Sequence, residues 1–584
     1  MINVRLNLLR TKMCENGLDF YFINTSDYHM SEYIPEYFKT LRYFSGFSGS
    51  LGQLVVTFDE AYLFVDGRYH GQADLEAGVN GIKVMKLGKE GVPTAAEFLI
   101  QNVKEGTLGL DGKCVSAAFV KQLEAKNIKI KSLDIYSDIY EDRAELSKDK
   151  LFPFDVKYAG YSRATKLDIV KRCLKNRTHI INNLESIAYL LNLRGNDIAY
   201  TPVFLSYMVF HKSEVYLFVD LERIEENDFA SLYNDGVIIR PYLDYYEFIK
   251  TIKRSVVLID DNKVNYETYV NLDASNKIFC MRSIVEEMKA VKNKVEIANT
   301  KEAHIRDGVA MVKFLKWLKE SDKEGLSEYD VKCKVNECRL GYKAFDLSFN
   351  TIVGYNENAA MMHYSPTADN YSMLHNSGMI LIDSGGQYFE GTTDITRTVA
   401  LGEVDDEVKM WFTLVLKSMF NLQRVKFIEG LSGDKLDILA RKDLWMRGVD
   451  YRCGTGHGVG HVLAVHEAPP NVRYQRGSNN GQDVPFKPGN IFSDEPGVYF
   501  EGKFGIRCEN LMVCNKDIKN EYGQFLSFEF ITMVPFDLDM IDKKYLDNET
   551  IDALNVYHAR VYEALAPYLN DEEKEFLKNA TRSI

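Results

Sequence analysis

No stretch of this 584-residue chain approaches the ~20 consecutive apolar residues that span a bilayer, which excludes a membrane-embedded role. Positive charge is not in excess either: 71 Lys and Arg stand against 84 Asp and Glu, for a net charge of -13. A basic footprint for nucleic acid is therefore missing. The opening MINVRLNLLRTKMCENGLDF lacks the apolar run and cleavage site of a secretory signal, so the expected compartment is the cytoplasm. The nine cysteines are scattered, and only Cys333 and Cys338 fall near ligand spacing. With no second pair, neither a cysteine zinc site nor a disulfide framework is expected.

What is present is ample core material. Hydrophobic residues make up 46% of the chain, and its length is that of about three to four domains of roughly 150 residues. Two segments look like copies of one module. In the first, the glycine-containing turn 43–50 precedes GQLVVTF (52–58) and AYLFVDGR (61–68). In the second, the turn around LNLRGND (191–197) precedes the β-rich runs 206–210 and VYLFVD (215–220). Each reads as a turn followed by a hairpin, and the shared YLFVD at Tyr62 and Tyr216 suggests duplication. Helical patterns flank both, so each is expected to be an α/β domain. The charged stretch YEDRAELSKDK (140–150) before Pro153 reads as a linker, and a second join falls near 283–294. These breaks divide the chain into 1–152, 153–288 and 289–584. The third part opens on an amphipathic helix over 295–319, with Ile297, Ala303, Val309, Met311, Val312, Leu315 and Leu318 on the buried face.

Five of the eleven histidines, His363, His375, His457, His461 and His466, fall within about a fifth of the chain. Asp383 ends the apolar run MILI before SGG, and Asp394 follows eleven residues later in GTTDITRT. Two aspartates on adjacent strands can project to one face, where unpaired carboxylates would repel and one would take up a proton. Divalent cations remove that conflict. The segment CGTGHGVGHVLAVHEAPP (453–470) places glycines at 454, 456, 458 and 460. Each costs about 1 kcal/mol relative to Ala in a helix, so a loop making close backbone contacts is expected. Glu495 in IFSDEPGVY and Glu509 in GIRCENLMV lie beside apolar runs, where an unpaired charge is costly. The four carboxylates, of Asp383, Asp394, Glu495 and Glu509, balance two divalent cations, and His457 adds one nitrogen. That donor set suits manganese, cobalt or zinc better than copper, and it points to two-metal hydrolysis.

The ordered set Asp, Asp, GTGHGVG, EPG and a final Glu, with NLRGND, HYSP (363–366), VHEAP and the tail EFITMVPFDLDMID (529–542), resembles the pita-bread metallopeptidases. Among them it resembles the long, three-domain Xaa-Pro aminopeptidases over nearly the whole chain. The resemblance implies two creatinase-like N-terminal α/β domains and a C-terminal pita-bread catalytic domain. It implies that Asp383 chelates one ion, that Asp394 and Glu509 bridge both, and that His457 and Glu495 complete the second. Manganese is the implied metal, with zinc and cobalt as alternatives.

The implied reaction is attack of a hydroxide shared by the two cations on the carbonyl of a peptide's first residue, with Glu495 managing the proton. His363 and His466 would hold the scissile peptide, and Arg507 would line the proline pocket, with a salt bridge to an acidic neighbour as its rival use. A proline in second position forms a tertiary amide without N–H, so shape must select it. Peptides of that kind are the implied partners, and a homodimer the implied assembly. One departure stands out: Cys453 lies four residues before His457, where related enzymes commonly carry histidine. His461 is left without a role. The alternatives are a prolidase-like Xaa-Pro dipeptidase, a creatinase-like hydrolase without metal and, from another class, an inactive peptide-binding homologue.

Overall fold

The computed structural model describes residues 1–474 and 484–584. It divides into two compact units, Met1–Glu286 and Glu287–Ile584.

The first unit holds two six-stranded sheets. In the first sheet the spatial order is Lys83–Lys86, Ala61–Val65, Gln53–Val56, Phe20–Asn24, Thr107–Leu110 and Lys129–Ser132. In the second it is Val237–Pro241, Glu214–Val219, Ser206–His211, Thr178–Ile181, Val256–Ile259 and Lys277–Cys280. Numbered along the chain, both sheets run 4-3-2-1-5-6, and matching neighbours share the same parallel or antiparallel sense. Both YLFVD strings fall on the third strand of their sheet, each in a hairpin with the strand before it: Leu63 pairs with Leu54, and Leu217 with Met208. The repeated string is thus matched by a repeated topology.

Local chemistry starts the helices. The Asn183 side chain accepts from Ser186 N and opens Leu184–Leu191, and Ser116 does the same for Ala117–Glu124 through Phe119 N. Between the two sheets the His29 ring is fully buried, with Nδ1 2.9 Å from the Asn182 carbonyl and Nε2 2.9 Å from the Tyr242 hydroxyl.

In the second unit, the expected long helix spans Lys294–Glu320, opened by an Asn293–Glu296 capping box. All the apolar positions assigned to its inner face are buried except Ile297, which is half-buried. Helix Glu328–Gly341 follows, with its own Ser327–Asp330 capping box. Two antiparallel sheets carry the region of interest. One orders Ile352–Tyr355, Met379–Ser384 and Ile395–Ala400; the other orders Lys426–Ile428, Gly523–Phe530, Asn510–Asn520 and Ile491–Asp494. Helix Asp406–Gln423 belongs to the same core as the second sheet through Phe412, Val415, Met419 and Phe420, together with Met512, Phe528 and Phe530. Each such side chain contributes about 1.5–3 kcal/mol on burial, so the strands that bear the acidic residues rest on a rigid floor. Among the described residues, no helix is long and apolar enough to cross a membrane.

Candidate metal centre

The two aspartates arise from one hairpin. Asp383 lies in the fully buried strand Met379–Ser384, opposite Thr396, and Asp394 stands one residue before the partner strand Ile395–Ala400. The turn between them passes so close to its neighbours that a Cβ on Gly385 would lie 2.0 Å from the Thr393 carbonyl oxygen.

Close approach also explains the glycine-rich histidine loop, which forms no helix. A Cβ on Gly456 would sit 1.9 Å from the Ser493 carbonyl oxygen. The loop is stitched there to strand Ile491–Asp494: Val459 N donates to Ile491 O (3.0 Å), His457 N to Ser493 Oγ (3.0 Å) and Glu495 N to Thr455 O (2.7 Å). Farther along, the buried Glu467 carboxylate meets Lys289 at 3.1 Å and Lys292 at 2.5 Å, which anchors the segment carrying His466.

Glu495 and Glu509 sit just outside regular strands, Glu495 after Ile491–Asp494 and Glu509 between Phe504–Arg507 and Asn510–Asn520. His457 is the hub. Its Nε2 lies 3.5 Å from Asp394 Oδ2 and 3.3 Å from Glu495 Oε1. Asp394, His457 and Glu509 each offer one ligand atom, all within 4.8 Å of one another. His457 Nδ1 is 3.0 Å from the Gly458 carbonyl, which only accepts, so Nδ1 carries the proton and Nε2 keeps its lone pair for ligation.

Electrostatics show what the cluster lacks. Burial, then Asp383 and Glu495, push the Asp394 carboxyl well above the usual range; burial, then Asp394, Asp383 and Glu495, do the same to Glu509. Glu495 is pushed up to about 7, chiefly by burial, against the pull of Arg507. Two oxygens, Asp383 Oδ1 and Glu509 Oε1, are buried without a hydrogen-bond partner. Crowded carboxylates with two orphaned oxygens, gathered beside an imidazole, fit divalent cations.

Asp383 stands at the edge of this group. Its Oδ2 accepts from Arg507 Nη2 at 2.5 Å. Arg507 also donates through Nη1 to Tyr499 OH (2.7 Å) and through Nε to Thr396 Oγ1 (3.0 Å), and it is only 3% exposed. The guanidinium therefore makes the salt bridge to an acidic neighbour that was named as a rival use of this arginine. Thr396 Oγ1 in turn donates to Glu509 Oε2 at 2.8 Å. Sequence reasoning missed Thr396 and Tyr499, although Thr396 follows Asp394 by two positions and so shares its face of the strand.

The remaining histidines separate. His466 packs edge-on against His457 with ring centroids 4.3 Å apart. His363 lies in a loop whose preceding carbonyl, Met362 O, is 3.5 Å from Arg507 Nη2. His461 is buried, with Nδ1 3.1 Å from Thr300 Oγ1, and His375 is on the surface, 3.2 Å from Glu324. Cys453 is half-buried against the second unit's core cluster, and burial and Glu495 push its thiol up to about 11, so it is neutral.

Residues 298–516 match the profile of metallopeptidase family M24, and 524–584 match the C-terminal region of peptidase M24. Residues 5–144 and 142–296 each match a creatinase/prolidase N-terminal domain. The chain is 35% identical to a probable Xaa-Pro aminopeptidase P of Laccaria bicolor, over 98% of this chain and 91% of that one. It is 34% identical to Xaa-Pro aminopeptidase 1 of Dictyostelium discoideum, over 100% and 97%. Among solved structures it is similar to the X-prolyl aminopeptidase of Caenorhabditis elegans, described as a cytosolic enzyme with a di-nuclear active site. The TM-score is 0.94 at 30% identity, with 100% of both chains covered.

Proposed function

Because the chain belongs to metallopeptidase family M24, and is a hydrolase with two creatinase-like domains ahead of a pita-bread catalytic domain, we propose that it cleaves the bond between a peptide's first residue and a proline in second position. The observation that carries this is the cluster of Asp394, Glu495 and Glu509 at His457 with Asp383 at its edge, in which one oxygen each of Asp383 and Glu509 is buried without a hydrogen-bond partner. In this reading Asp383, Asp394, His457, Glu495 and Glu509 hold two divalent cations, manganese by preference. When bound, the cations supply an acidified water as nucleophile and polarise the scissile carbonyl.

The chain's own residues do the rest. A Glu495 carboxylate oxygen takes the proton of the attacking water and returns it to the departing proline nitrogen. His466, beside His457, and His363, on the loop next to Arg507, hold the carbonyl oxygen as charge develops on it. Arg507 keeps Asp383 aimed at the centre through its salt bridge and leaves Tyr499 fixed at its other end. Proline is selected by shape, since its amide offers no N–H.

The test is a matched pair of tripeptides, Arg-Pro-Pro and Arg-Ala-Ala, with manganese and again after chelation. Arginine release from the proline peptide alone, abolished by chelation, is the expected result. Equal cleavage of the alanine peptide sinks the proline specificity. Preference for the dipeptide Arg-Pro would instead favour the dipeptidase reading, and metal-independent behaviour of every substrate would favour a binding protein. We assign the enzyme to the cytoplasm, the compartment of the C. elegans protein, and to a homodimer, so light scattering should return twice the chain mass of 66.9 kDa; a monomeric mass at micromolar concentration would refute the dimer.

A further inference from the structure

The loop that bears His363 has no regular structure between the short helix ending at Ala360 and the strand starting at Met379. A residue that must meet a developing charge cannot be left on such a loop unless something holds it. The geometry points to Glu328, and we propose it as the positioning residue for His363; this rests on the active-site role given to that histidine above.

Glu328 is the first residue of helix Glu328–Gly341, and its side chain is completely buried. Four neutral groups, two before the loop and two within it, converge on its carboxylate. Tyr355 N donates to Oε1 at 2.6 Å, and Asn358 Nδ2 reaches both oxygens at 3.0 and 3.2 Å. Tyr364 OH donates to Oε2 at 2.9 Å and Ser372 N at 2.7 Å. These donors bracket His363 on both sides in sequence, and Tyr364 is its immediate neighbour.

One helical turn later Lys332 adds a second hold. Its Nζ donates to Ser365 Oγ (2.8 Å) and to the Pro366 carbonyl (3.0 Å), while Ser365 Oγ donates to Thr351 O (2.7 Å). Tyr364, Ser365 and Pro366 of HYSP are therefore all used as anchors. On the other side, Met362 O is 3.5 Å from the Arg507 nitrogen that holds Asp383. The backbone on both sides of His363 is thus held, through Tyr364 by the helix and through Met362 by Arg507.

A carboxylate suits this task because all four partners are donors. An amide in its place presents an NH2 group to either Tyr355 N or Ser372 N, and donor then faces donor. The loop must shift, and a shift on the order of 1 Å in a positioned group costs up to about a hundredfold in rate.

The experiment is a double-mutant cycle on Xaa-Pro tripeptide hydrolysis. Tyr364→Phe, which removes one hydrogen bond and keeps the carboxylate, should lower kcat/KM about tenfold, and Glu328→Gln about a hundredfold, with metal content unchanged. In a His363→Ala background each should change the rate by less than about twofold, because the group they position is gone. If either variant costs the same factor in that background as in the wild type, or if both leave wild-type kcat/KM intact, Glu328 does not act through His363. A His363→Ala enzyme as fast as wild type overturns the histidine's role itself, a separate failure from loss of proline-specific cleavage.

Discussion

Replacing Glu495 by Gln should lower kcat on Arg-Pro-Pro by about 10³-fold, the midpoint of what a positioned acid–base group supplies, while the protein still folds. The side chain keeps its size, and its backbone N–H still donates to Thr455 O, so the loop stitching survives. What is lost is a carboxylate whose proton affinity is lifted to about 7 by burial, and with it one of the four negative charges that suit the site to two cations. Metal analysis of the same sample separates the two contributions. Inactive protein with two ions per chain assigns the loss to proton transfer, and inactive protein with fewer assigns it to ligation. A variant within tenfold of wild type would remove Glu495 from the mechanism.

The second large effect concerns stability. Arg339 is fully buried, with Nε donating to Asp307 Oδ1 at 2.7 Å and Nη2 to the Ser384 carbonyl at 3.2 Å, and Tyr388 OH also donates to Asp307 Oδ1 at 2.9 Å. This pair fastens helices Lys294–Glu320 and Glu328–Gly341 to the residue after Asp383. Asp307→Ala strands a buried guanidinium and should cost about 3–5 kcal/mol, seen as a drop on the order of 5–10 °C in the second unit's calorimetric transition. Asp307→Leu combined with Arg339→Met should recover part of that loss, since no buried charge is then left unpaired, while the Tyr388 hydroxyl still loses its acceptor. A single variant melting within a degree or two of wild type would show that the pair contributes little.

That Asp394, His457 and Glu509 would come together was legible in the sequence because metal chemistry restricts donors to a few residue types, and because carboxylates beside apolar runs need a partner wherever the chain goes. The hairpins around Leu54 and Leu217 were legible for another reason: their partners are close in sequence, and alternation with a short turn specifies them locally. The parallel neighbours were not, since Phe20–Asn24 meets Thr107–Leu110 only through a long crossover. Arg507 shows the limit for side chains. Its salt-bridge partner, Asp383, lies 124 positions away, out of reach of any local pattern. Glu328 was invisible for the same reason: an acidic residue in a helix's first turn ordinarily reads as a solvated one that complements the helix dipole, and its partners lie 27 to 44 positions downstream.

The strand order of the first unit also sets a sequence of events during synthesis. Phe20 pairs with Leu108 and Thr178 with Val257, so neither sheet can close until its fifth strand has left the ribosome, and such long-range pairing is slow compared with hairpin formation. Each sheet is nevertheless complete before the first proposed metal donor, Asp383, has been translated. The donors then arrive in order, with Glu509 last. A chain released early, anywhere between residues 300 and 508, therefore carries both finished sheets and a ligand set that cannot close, and cation capture belongs to the last stage of the polypeptide's emergence.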